Sequence, residues 1–464
     1  MKCIICSVAP VFPKEVHGGS GRVLVDVAVA LGTAGHQVEI FCTRRHDNHE
    51  EFRLHSNVLV RPVLRFKETY PEPFYVPPHQ LAEVVRLVRS AVENADVCYI
   101  HDGELPFHFV YDNVPTVIAF QDFVYPDTLS SGMSFARDTL IVASEYVKQC
   151  VEDSVGQYRL GLASRMHVIR NGIDLALFDV REPLAWQTDL KKRGFYLIGC
   201  PHRPDPTKGL TEGVQLIARL KSQTRKGKPE PMLLIPRWMD SRINANDGHV
   251  YRTLYSSLRE TADTLGVGEN IYIHEWLGGN ELPRYYSGCD VVIAIGTFVE
   301  AFGNVPVEAA ACGVASVVVK IGGHVGKLPA SVCAEICPAD IDEACDAVVR
   351  MRSSEVNLRA IREYIREHYS LNQMVAGYRS VLESATRQPA LPLRISTRRH
   401  VKLAAWCRFI GTRVYNDYLR EYSDDPALCA LFDPIGGNSR VVAENIPRKP
   451  LLQWLEGGYV VECD

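Results

Sequence analysis

Short apolar runs alternate with helix-like segments along this chain, and the whole alternation occurs twice. In the first half the apolar runs are KCIICSVA, QVEIFCT, VCYIHD, TVIAFQ and LIVAS, and residues 20–31 have the spacing of an amphipathic helix. The second half repeats the pattern with FYLIGC, PMLLIP, IYIHEW, VVIAIG and ASVVVK. Strands that alternate with helices form a parallel sheet covered by helices. The sequence therefore predicts an α/β fold with two Rossmann-like, doubly wound domains that face each other across a cleft.

Changes in composition along the chain indicate where these domains begin and end. The 464 residues exceed what one hydrophobic core usually holds. A polar segment, residues 179–193, contains Pro183 and predicts a linker, so we place the N-terminal domain at residues 1–185 and the C-terminal domain at residues 186–369. The Pro-containing stretch TRQPALPL sets off an extension at residues 390–464, whose apolar positions predict that it folds.

Composition and charge exclude several classes of protein. No apolar run approaches the roughly 20 residues that a membrane-spanning helix needs, and the N-terminus MKCIICSVAP leads directly into a strand-like run. The net charge of −4 provides no general attraction to nucleic acid or to an anionic membrane. The 14 cysteines lie mostly in apolar segments, which favours reduced thiols over a disulfide framework. We therefore expect a cytoplasmic protein without a transmembrane segment.

Two loops at the ends of predicted strands contain the residues of an anion-binding site. HGGSGR places Gly18 and Gly19 directly before a helix, so that backbone N–H groups can face an anion, although a tight turn requires glycines for steric reasons alone. In GCPHRPDPTKGL, Arg203 and Lys208 lie in one short loop between a strand and a helix. Two cations and a helix N-terminus predict a phosphate site there, whereas isolated basic residues in loops are usually only solvated.

Two glutamates lie at the ends of a third loop, which follows the strand-like run VVIAIG. Glu300 and Glu308 begin and end the segment EAFGNVPVE, on either side of a glycine turn. Carboxylates in this arrangement can accept charge-assisted hydrogen bonds from two parts of one polar ligand, such as sugar hydroxyls and ribose hydroxyls. Considered alone, the two glutamates would be a helix-capping acid and a surface residue. A ligand whose phosphates bind the loop with Arg203 and Lys208 could also contact both glutamates.

Five segments, taken in order, resemble the retaining glycosyltransferases of family 4, which have the two-domain GT-B fold. The segments are HGGSGR with GHQVEIF, DTLIVASEYVKQ, VIRNGIDLALF, RPDPTKGL and EAFGNVPVEAAACG, and the resemblance spans residues 1–385. It implies an enzyme, a hexosyltransferase that moves a sugar from a nucleoside-diphosphate (NDP) sugar to an acceptor with retention of configuration. It also implies that residues 370–386 form a helix that returns to the N-terminal domain.

Carried onto this sequence, the resemblance implies a role for each residue of the three loops. Arg203 and Lys208 would hold the donor diphosphate. Glu308 would bind the ribose, and Glu300 the donor sugar. Further residues of the donor pocket would be Gly18, Gly19, Phe302, Gly303 and Asn304.

The chemistry expected of such a site uses no cofactor and no metal. Negative charge grows on the departing diphosphate in the transition state, and Arg203 and Lys208 would stabilise that state more than the ground state. In the family, retention is attributed to front-face attack, with the departing phosphate taking the acceptor's proton. Residues 340–342 spell a DxD sequence, but their position before a predicted helix favours N-capping over metal binding.

Several positions depart from the family's pattern. Gln121 stands where many members have a histidine that contacts the donor sugar, and glutamine cannot carry charge near neutral pH. The location of His101, at the end of VCYIH, makes it the substitute, unless it only caps the strand. Trp238 follows a strand where relatives usually have glycine, and it would stack on a ligand or pack within the loop. The family usually has a second acid after the two glycines of the segment that reads IGGHVGK here. That acid is missing from this chain, and Lys327 lies near its position.

The extension lies outside the resemblance. Residues 394–413 include six Lys or Arg and no acid, which predicts a solvated basic helix packed on the enzyme. The alternatives are a surface that docks the acceptor, a peptide or protein partner, or, least favoured, nucleic acid. The sequence does not specify whether the acceptor is a small molecule, a glycan or a peptide. Other functions that would use the same cleft are those of a glycosyl phosphorylase, a nucleotide-sugar epimerase or an inactive nucleotide-sugar-binding protein.

Overall fold

The computed structural model describes residues 1–463 except residues 15, 17, 67–76, 104, 106–109, 136–137, 239–244, 395–399 and 433–439; for residues 127 and 245–250 it describes the backbone alone. Within this part of the chain, no helix is both long enough and apolar enough to cross a membrane. All 14 cysteines are free of disulfide bonds.

The N-terminal domain is built on one eight-stranded sheet. Its strands are β1 (Lys2–Cys6), β2 (Gln37–Thr43), β3 (Phe52–His55), β4 (Val58–Leu64), β5 (Val97–Ile100), β6 (Thr116–Phe120), β7 (Thr139–Val142) and β8 (Met166–Val168). Their order is β3-β4-β2-β1-β5-β6-β7-β8, and only the edge strand β3 is antiparallel to its neighbour. The five apolar runs of the first half form β1, β2, β5, β6 and β7. From β1 the chain adds strands first toward one edge of the sheet and then, beginning with β5, toward the other edge. Ligands of such sheets bind where this change occurs, beyond the carboxyl ends of the strands.

In the described part of this domain, four α-helices accompany the sheet, and their apolar faces explain their positions. They are α1 (Gly18–Thr33), α2 (Pro78–Val92), α3 (Pro126–Ser134) and α4 (Glu145–Asp153). In α1 the residues Val23, Val27 and Leu31 recur at helical spacing and are buried on the sheet. Helix α4 begins after Ser144, whose hydroxyl accepts a hydrogen bond from Val147 N at 3.2 Å and caps the helix.

The C-terminal domain repeats the arrangement with six parallel strands. They are β9 (Phe195–Gly199), β10 (Glu230–Pro236), β11 (Ile271–His274), β12 (Val291–Ala294), β13 (Ser316–Val319) and β14 (Cys333–Ile336), in the order β11-β10-β9-β12-β13-β14. The helices are α5 (Ala185–Lys192), α6 (Leu210–Gln223), α7 (Ala245–Thr264), α8 (Leu282–Gly288), α9 (Val305–Ala311), α10 (Ile341–Arg352) and α11 (Leu358–His368). Two doubly wound sheets confirm the predicted fold class.

Two details of the second domain concern the sequence predictions directly. The segment predicted as a linker is mostly helix α5, which packs on the second sheet because Leu184 and Leu190 are buried beside Leu197; the linker prediction was wrong for residues 185–192. Asp340 of the DxD sequence caps α10, since its Oδ1 accepts a hydrogen bond from Glu343 N at 2.8 Å.

Helix α12 (Leu371–Glu383) returns from the second domain to the first. It begins at the N-cap Ser370 and buries Met374, Tyr378 and Leu382 in the same apolar cluster as α1. This helix and the strand-end loops described below hold the two domains together.

The described residues of the extension form two small antiparallel sheets and two α-helices. Its elements are β15 (His400–Leu403), β16 (Cys407–Ile410), β17 (Arg413–Asn416), β18 (Glu421–Ser423), α13 (Pro426–Phe432), β19 (Val441–Val442), α14 (Arg448–Glu456) and β20 (Val460–Cys463). The sheets have the orders β19-β15-β20 and β16-β17-β18. A separate apolar cluster that includes Val401, Val414, Phe432 and Trp454 forms their core.

The prediction of a basic helix in the extension was wrong. The described part of residues 394–413 contains strands β15 and β16, because alternate residues such as Val401 and Leu403 are buried against β20. Two of the basic residues form ion pairs with buried carboxylates, Lys402 with Asp153 at 2.7 Å and Arg408 with Asp417. Residues 395–399 of the basic segment lie outside the described residues.

Candidate active site

The two loops that follow β9 and β12 bring a lysine and a glutamate into contact. Lys208 Nζ lies 2.6 Å from Glu300 Oε1, and the side chains are only 14% and 19% exposed. Burial acts to raise the pKa of Glu300, but the charge and hydrogen bond of Lys208, together with the neighbouring His324 and His202, lower the pKa to about 2. Glu300 is therefore ionised throughout the physiological pH range.

Close backbone packing explains why these two side chains meet. Gly209 has φ +86°, and a Cβ there would lie 2.5 Å from Gly296 N; at Gly296 a Cβ would lie 2.2 Å from Thr207 O. The loop after β9 can therefore touch the loop after β12 only with glycine at both positions. Phe298 N donates to Thr207 O at 2.9 Å and joins the loops, and the ring of Phe298 lies 3.3 Å from Lys208 Nζ.

The second glutamate lies one helical turn into α9. Tyr286 OH donates to Glu308 Oε2 at 2.7 Å and fixes the carboxylate, which is half-buried. Burial raises the pKa of Glu308, while the hydrogen bond from Tyr286 and the charge of Arg22 oppose that rise. Arg22 lies on helix α1, so a charge of the N-terminal domain acts on Glu308.

The glycine turn of the N-terminal domain lies against the loop of the C-terminal domain. A Cβ at Gly19 would lie 2.5 Å from Asn304 Nδ2, so glycine leaves room for the Asn304 amide in its present position. Gly18 has φ +73° with open space around it, so its requirement is conformational. Asn171 Nδ2 donates to Asn304 Oδ1 at 3.5 Å from the N-terminal side. Gly19 and Asn304 are thus brought together across the cleft, and Gly18 precedes Gly19 in the same turn.

Arg203 lies in the same loop as Lys208 but contacts different residues. Its Nη2 is 3.5 Å from the hydroxyl of Tyr125 in the N-terminal domain, and its guanidinium lies 6.0 Å from the ring of Trp238. Trp238 is buried, stacked at 5.9 Å on Tyr251 and edge-on at 4.9 Å to Trp276. Trp238 therefore packs within its loop, the second of the two predicted alternatives.

His101 and Gln121 both lie in the N-terminal domain, and each forms hydrogen bonds with its own set of residues. His101 is buried; its Nε2 is 2.8 Å from Ser20 Oγ and its Nδ1 2.8 Å from Tyr99 OH. Burial lowers the pKa of His101 to about 4, so the ring is neutral. Gln121 Nε2 donates to Tyr378 OH at 2.7 Å. Among the described residues, no hydrogen bond or ion pair joins either side chain to Lys208 or Glu300.

Asp102, which the sequence reasoning did not single out, links these two residues. It accepts a hydrogen bond from Gln121 N at 3.0 Å and one from Ser20 Oγ. Its φ is +56°, a conformation uncommon for residues other than glycine. The sequence signal was an acid directly after the histidine that ends an apolar run.

Two further histidines lie beside Glu300 and were also missed. His324 is 3% exposed and packs on Gly303, where a Cβ would lie 2.4 Å from the imidazole Cδ2. Burial lowers the pKa of His324 to about 3 and that of His202 to about 4. Both ring nitrogens of His324, and Nε2 of His202, have no hydrogen-bond partner among the described residues. Each neutral imidazole therefore keeps a polar atom free for a ligand, and each follows a predicted strand.

The loop backbone beside His324 is held by a buried lysine. Lys327 Nζ donates to Gly303 O at 3.1 Å and lies 3.3 Å from the centre of the Phe302 ring. Burial lowers the pKa of Lys327 well below its usual value. Lys327 lies near the position at which the family has a second acid. In this chain it fixes the loop that contains Phe302, Gly303 and Asn304.

Comparison with known families identifies both domains. The chain matches Glycosyltransferase Family 4 over residues 17–177 and Glycosyl transferases group 1 over residues 186–368. It is similar to D-inositol 3-phosphate glycosyltransferase of Segniliparus rotundus, with 23% identity over 281 residues. That match covers 57% of this chain and 58% of the relative, so the chain spans less than two thirds of the relative's length.

Solved structures share the fold at low sequence identity. Sucrose-phosphate synthase from Thermosynechococcus elongatus has a TM-score of 0.65 and 17% identity, covering 82% of this chain and 98% of that chain. Anabaena HepE, solved with UDP and glucose, has a TM-score of 0.61 and 18% identity, with 83% and 100% covered. An Escherichia coli trehalose-6-phosphate protein bound with UDP-2-fluoro glucose has a TM-score of 0.63 and 15% identity, with 84% and 100% covered. With both family matches in sequence order on this shared fold, the chain belongs to the glycosyltransferases with the GT-B fold.

Proposed function

We propose that this chain transfers a hexosyl group from an NDP-sugar to a hydroxyl acceptor, with retention of configuration and without a metal ion. The observation that carries the proposal is the contact between Lys208 and Glu300 at the carboxyl ends of β9 and β12. A partly buried cation beside a carboxylate that stays ionised offers both charges that a sugar diphosphate needs. An ammonium group has three donors, so Lys208 can bond Glu300 and still donate to a phosphate.

In the proposed reaction the bond between the anomeric carbon and the diphosphate oxygen breaks, and its electron pair goes to the diphosphate. The acceptor's hydroxyl oxygen forms the new bond on the same face, and its proton goes to the departing phosphate. Lys208 and Arg203 stabilise the growing negative charge, which is the role of a metal in other transferases. Glu300 accepts hydrogen bonds from the sugar, and the unpaired imidazole of His324 supplies a further neutral contact.

Binding of the donor can be tested before the acceptor is known. HepE and the trehalose-6-phosphate protein were solved with UDP or a UDP-sugar, so uridine nucleotides are the first candidates. We expect one of UDP, GDP, ADP and TDP to raise the melting temperature, since a ligand at 100 times its Kd adds about 2.7 kcal/mol. The matching nucleotide sugar should then be hydrolysed slowly and transferred to small-molecule, glycan or peptide hydroxyls.

Other outcomes of this assay would identify different functions. Sugar release that requires inorganic phosphate and no acceptor would identify a phosphorylase. Isomerisation of the free donor would identify an epimerase. Binding of a nucleotide sugar without any turnover would leave an inactive binding protein.

Glu308→Ala is expected to weaken binding of the preferred nucleoside diphosphate about 10- to 100-fold, because hydrogen bonds to a charged group contribute about 1.5–3 kcal/mol. Calorimetric titration with the diphosphate and its 2′-deoxy analogue measures the effect. Wild type should prefer the ribose form, and the variant should bind both forms equally. Tyr286→Phe, which removes only the hydroxyl that fixes Glu308, should cause a smaller loss. A variant that still prefers ribose as strongly as wild type would contradict the assignment.

A further inference from the structure

The extension contacts both domains at one turn beside the candidate site. Asp417, directly after β17, is 0% exposed, and its Oδ2 accepts three hydrogen bonds. One comes from Tyr146 OH in α4 of the N-terminal domain at 2.9 Å, and one from Gly322 N in the C-terminal domain at 3.1 Å. The third comes from Arg408 within the extension. A single carboxylate oxygen thus joins three parts of the fold.

The residues on either side of Asp417 extend this contact. Tyr418 OH donates to Phe123 O at 2.9 Å, two residues beyond Gln121 in the N-terminal domain. Tyr415 is buried with Val299 and Ile321 of the C-terminal domain. Residues 415–418, which we call the bridging turn, therefore pack on the loops that follow β6, β12 and β13.

The loop that Asp417 holds is packed directly on the backbone of Glu300. Gly323 N donates to Glu300 O at 2.6 Å. A Cβ at Gly322 would lie 2.4 Å from the same oxygen, and Gly322 has φ +55°. With no space between the two loops, a shift of Gly322 must displace Glu300, and with it the contact to Lys208.

The chemistry of the bridging turn indicates that it aligns the two domains and does not merely attach the extension to them. A buried carboxylate loses hydration, and replacing a buried ion pair with apolar residues is often neutral or stabilising. An apolar patch would therefore have docked the extension equally well. Directional bonds from two domains to one oxygen instead fix the relative position of the groups that donate them.

We infer that Asp417 is a positioning residue, which aligns the two domains and holds the Gly322 loop so that Glu300 meets Lys208 and the donor sugar. This inference rests on the proposed role of Glu300. The extension is thus part of the transferase site and not an appended module. We expect its contribution to appear in the rate of transfer, because the loop that Asp417 holds bonds the backbone of Glu300, whereas no described hydrogen bond joins Asp417 itself to Lys208 or Glu308.

The test compares Asp417→Ala with Tyr422→Phe. The control removes another hydrogen bond from the extension to the C-terminal domain, from Tyr422 OH to Pro338 O at 3.1 Å. We expect Asp417→Ala to lower kcat on the order of 100-fold, as misplacement by about 1 Å can do, while the Kd for the nucleoside diphosphate changes less than about threefold. Asp417→Asn, whose oxygen can still accept from Gly322 N, should recover part of the rate. Tyr422→Phe should keep wild-type kcat.

Tyr146→Phe provides the same test if Asp417→Ala does not fold, since it removes one bond and leaves the carboxylate paired with Arg408. It should lower kcat without changing the Kd. A wild-type kcat in folded Asp417→Ala would overturn the inference, and so would a wild-type kcat in Tyr146→Phe if Asp417→Ala does not fold. The inference would also fail if either variant lost nucleotide affinity by the same factor as kcat. An inactive wild type would instead contradict the proposed function.

Discussion

Lys208→Ala is expected to lower turnover on the order of 100- to 1000-fold, the effect of removing one preorganised donor from a developing negative charge. The lysine is held by Glu300 at 2.6 Å and by the ring of Phe298 at 3.3 Å, so its ammonium group is in place before the donor binds. Charge on the diphosphate increases only as the sugar–phosphate bond breaks. The loss should therefore appear mainly in kcat, measured as sugar transfer or donor hydrolysis at saturating nucleotide sugar.

The same substitution leaves the partly buried Glu300 without its cation, so a loss of stability must be separated from a loss of chemistry. The low pKa of Glu300 is a stabilising contribution that is present above the unfolded pKa and is lost as pH falls toward about 2. Lys208→Ala should therefore reduce the free energy of unfolding at pH 7, measured in urea. The double variant K208A/E300Q should regain stability and remain inactive.

A lysine in a comparable ion pair outside the site provides the control. Lys191 pairs with Asp290 at 3.1 Å and is 38% exposed. Lys191→Ala should keep wild-type turnover, since exposed pairs contribute little. Near-normal turnover in a folded Lys208→Ala variant would remove Lys208 from the proposed mechanism.

The doubly wound fold could be predicted because its signals are local. Each apolar run in the two halves is long enough to form a buried strand, and all ten runs form strands of the two sheets. The parallel arrangement then places the loops after β9 and β12 at one edge, so the proximity of Lys208 and Glu300 follows from the topology. The fold class and the resemblance to glycosyltransferases with the GT-B fold were both confirmed.

What could not be predicted depends on contacts between distant segments. Strand β15 pairs with β20, about sixty residues further along the chain, and a count of basic residues contains no information about that pairing. Likewise, His101 and His324 both follow apolar runs, and only the packing of Ser20 and Tyr99 around the first and of Gly303 against the second distinguishes them. The role of Asp417 depends on donors from α4, from the loop after β13 and from β16, and the sequence does not show that these segments meet.

Glu300→Gln is expected to lower kcat on the order of 100-fold, because it removes the charge from the carboxylate and preserves its shape. Acidification to pH 5 cannot substitute for this variant, since a pKa of about 2 keeps Glu300 ionised there. If Glu300 binds the donor sugar, the variant should bind the free nucleoside diphosphate like wild type and bind the intact nucleotide sugar more weakly. Calorimetry with the two ligands measures that difference.

The control replaces a glutamate that forms ion pairs elsewhere. Glu39 lies 3.0 Å from both Lys2 and Arg61 on the N-terminal sheet, so Glu39→Gln removes a paired carboxylate without touching the cleft. It should leave both affinities and kcat unchanged. Equal weakening of both ligands in Glu300→Gln would mean that the carboxylate acts on the diphosphate through Lys208, whereas weakening confined to the nucleotide sugar assigns Glu300 to the sugar itself.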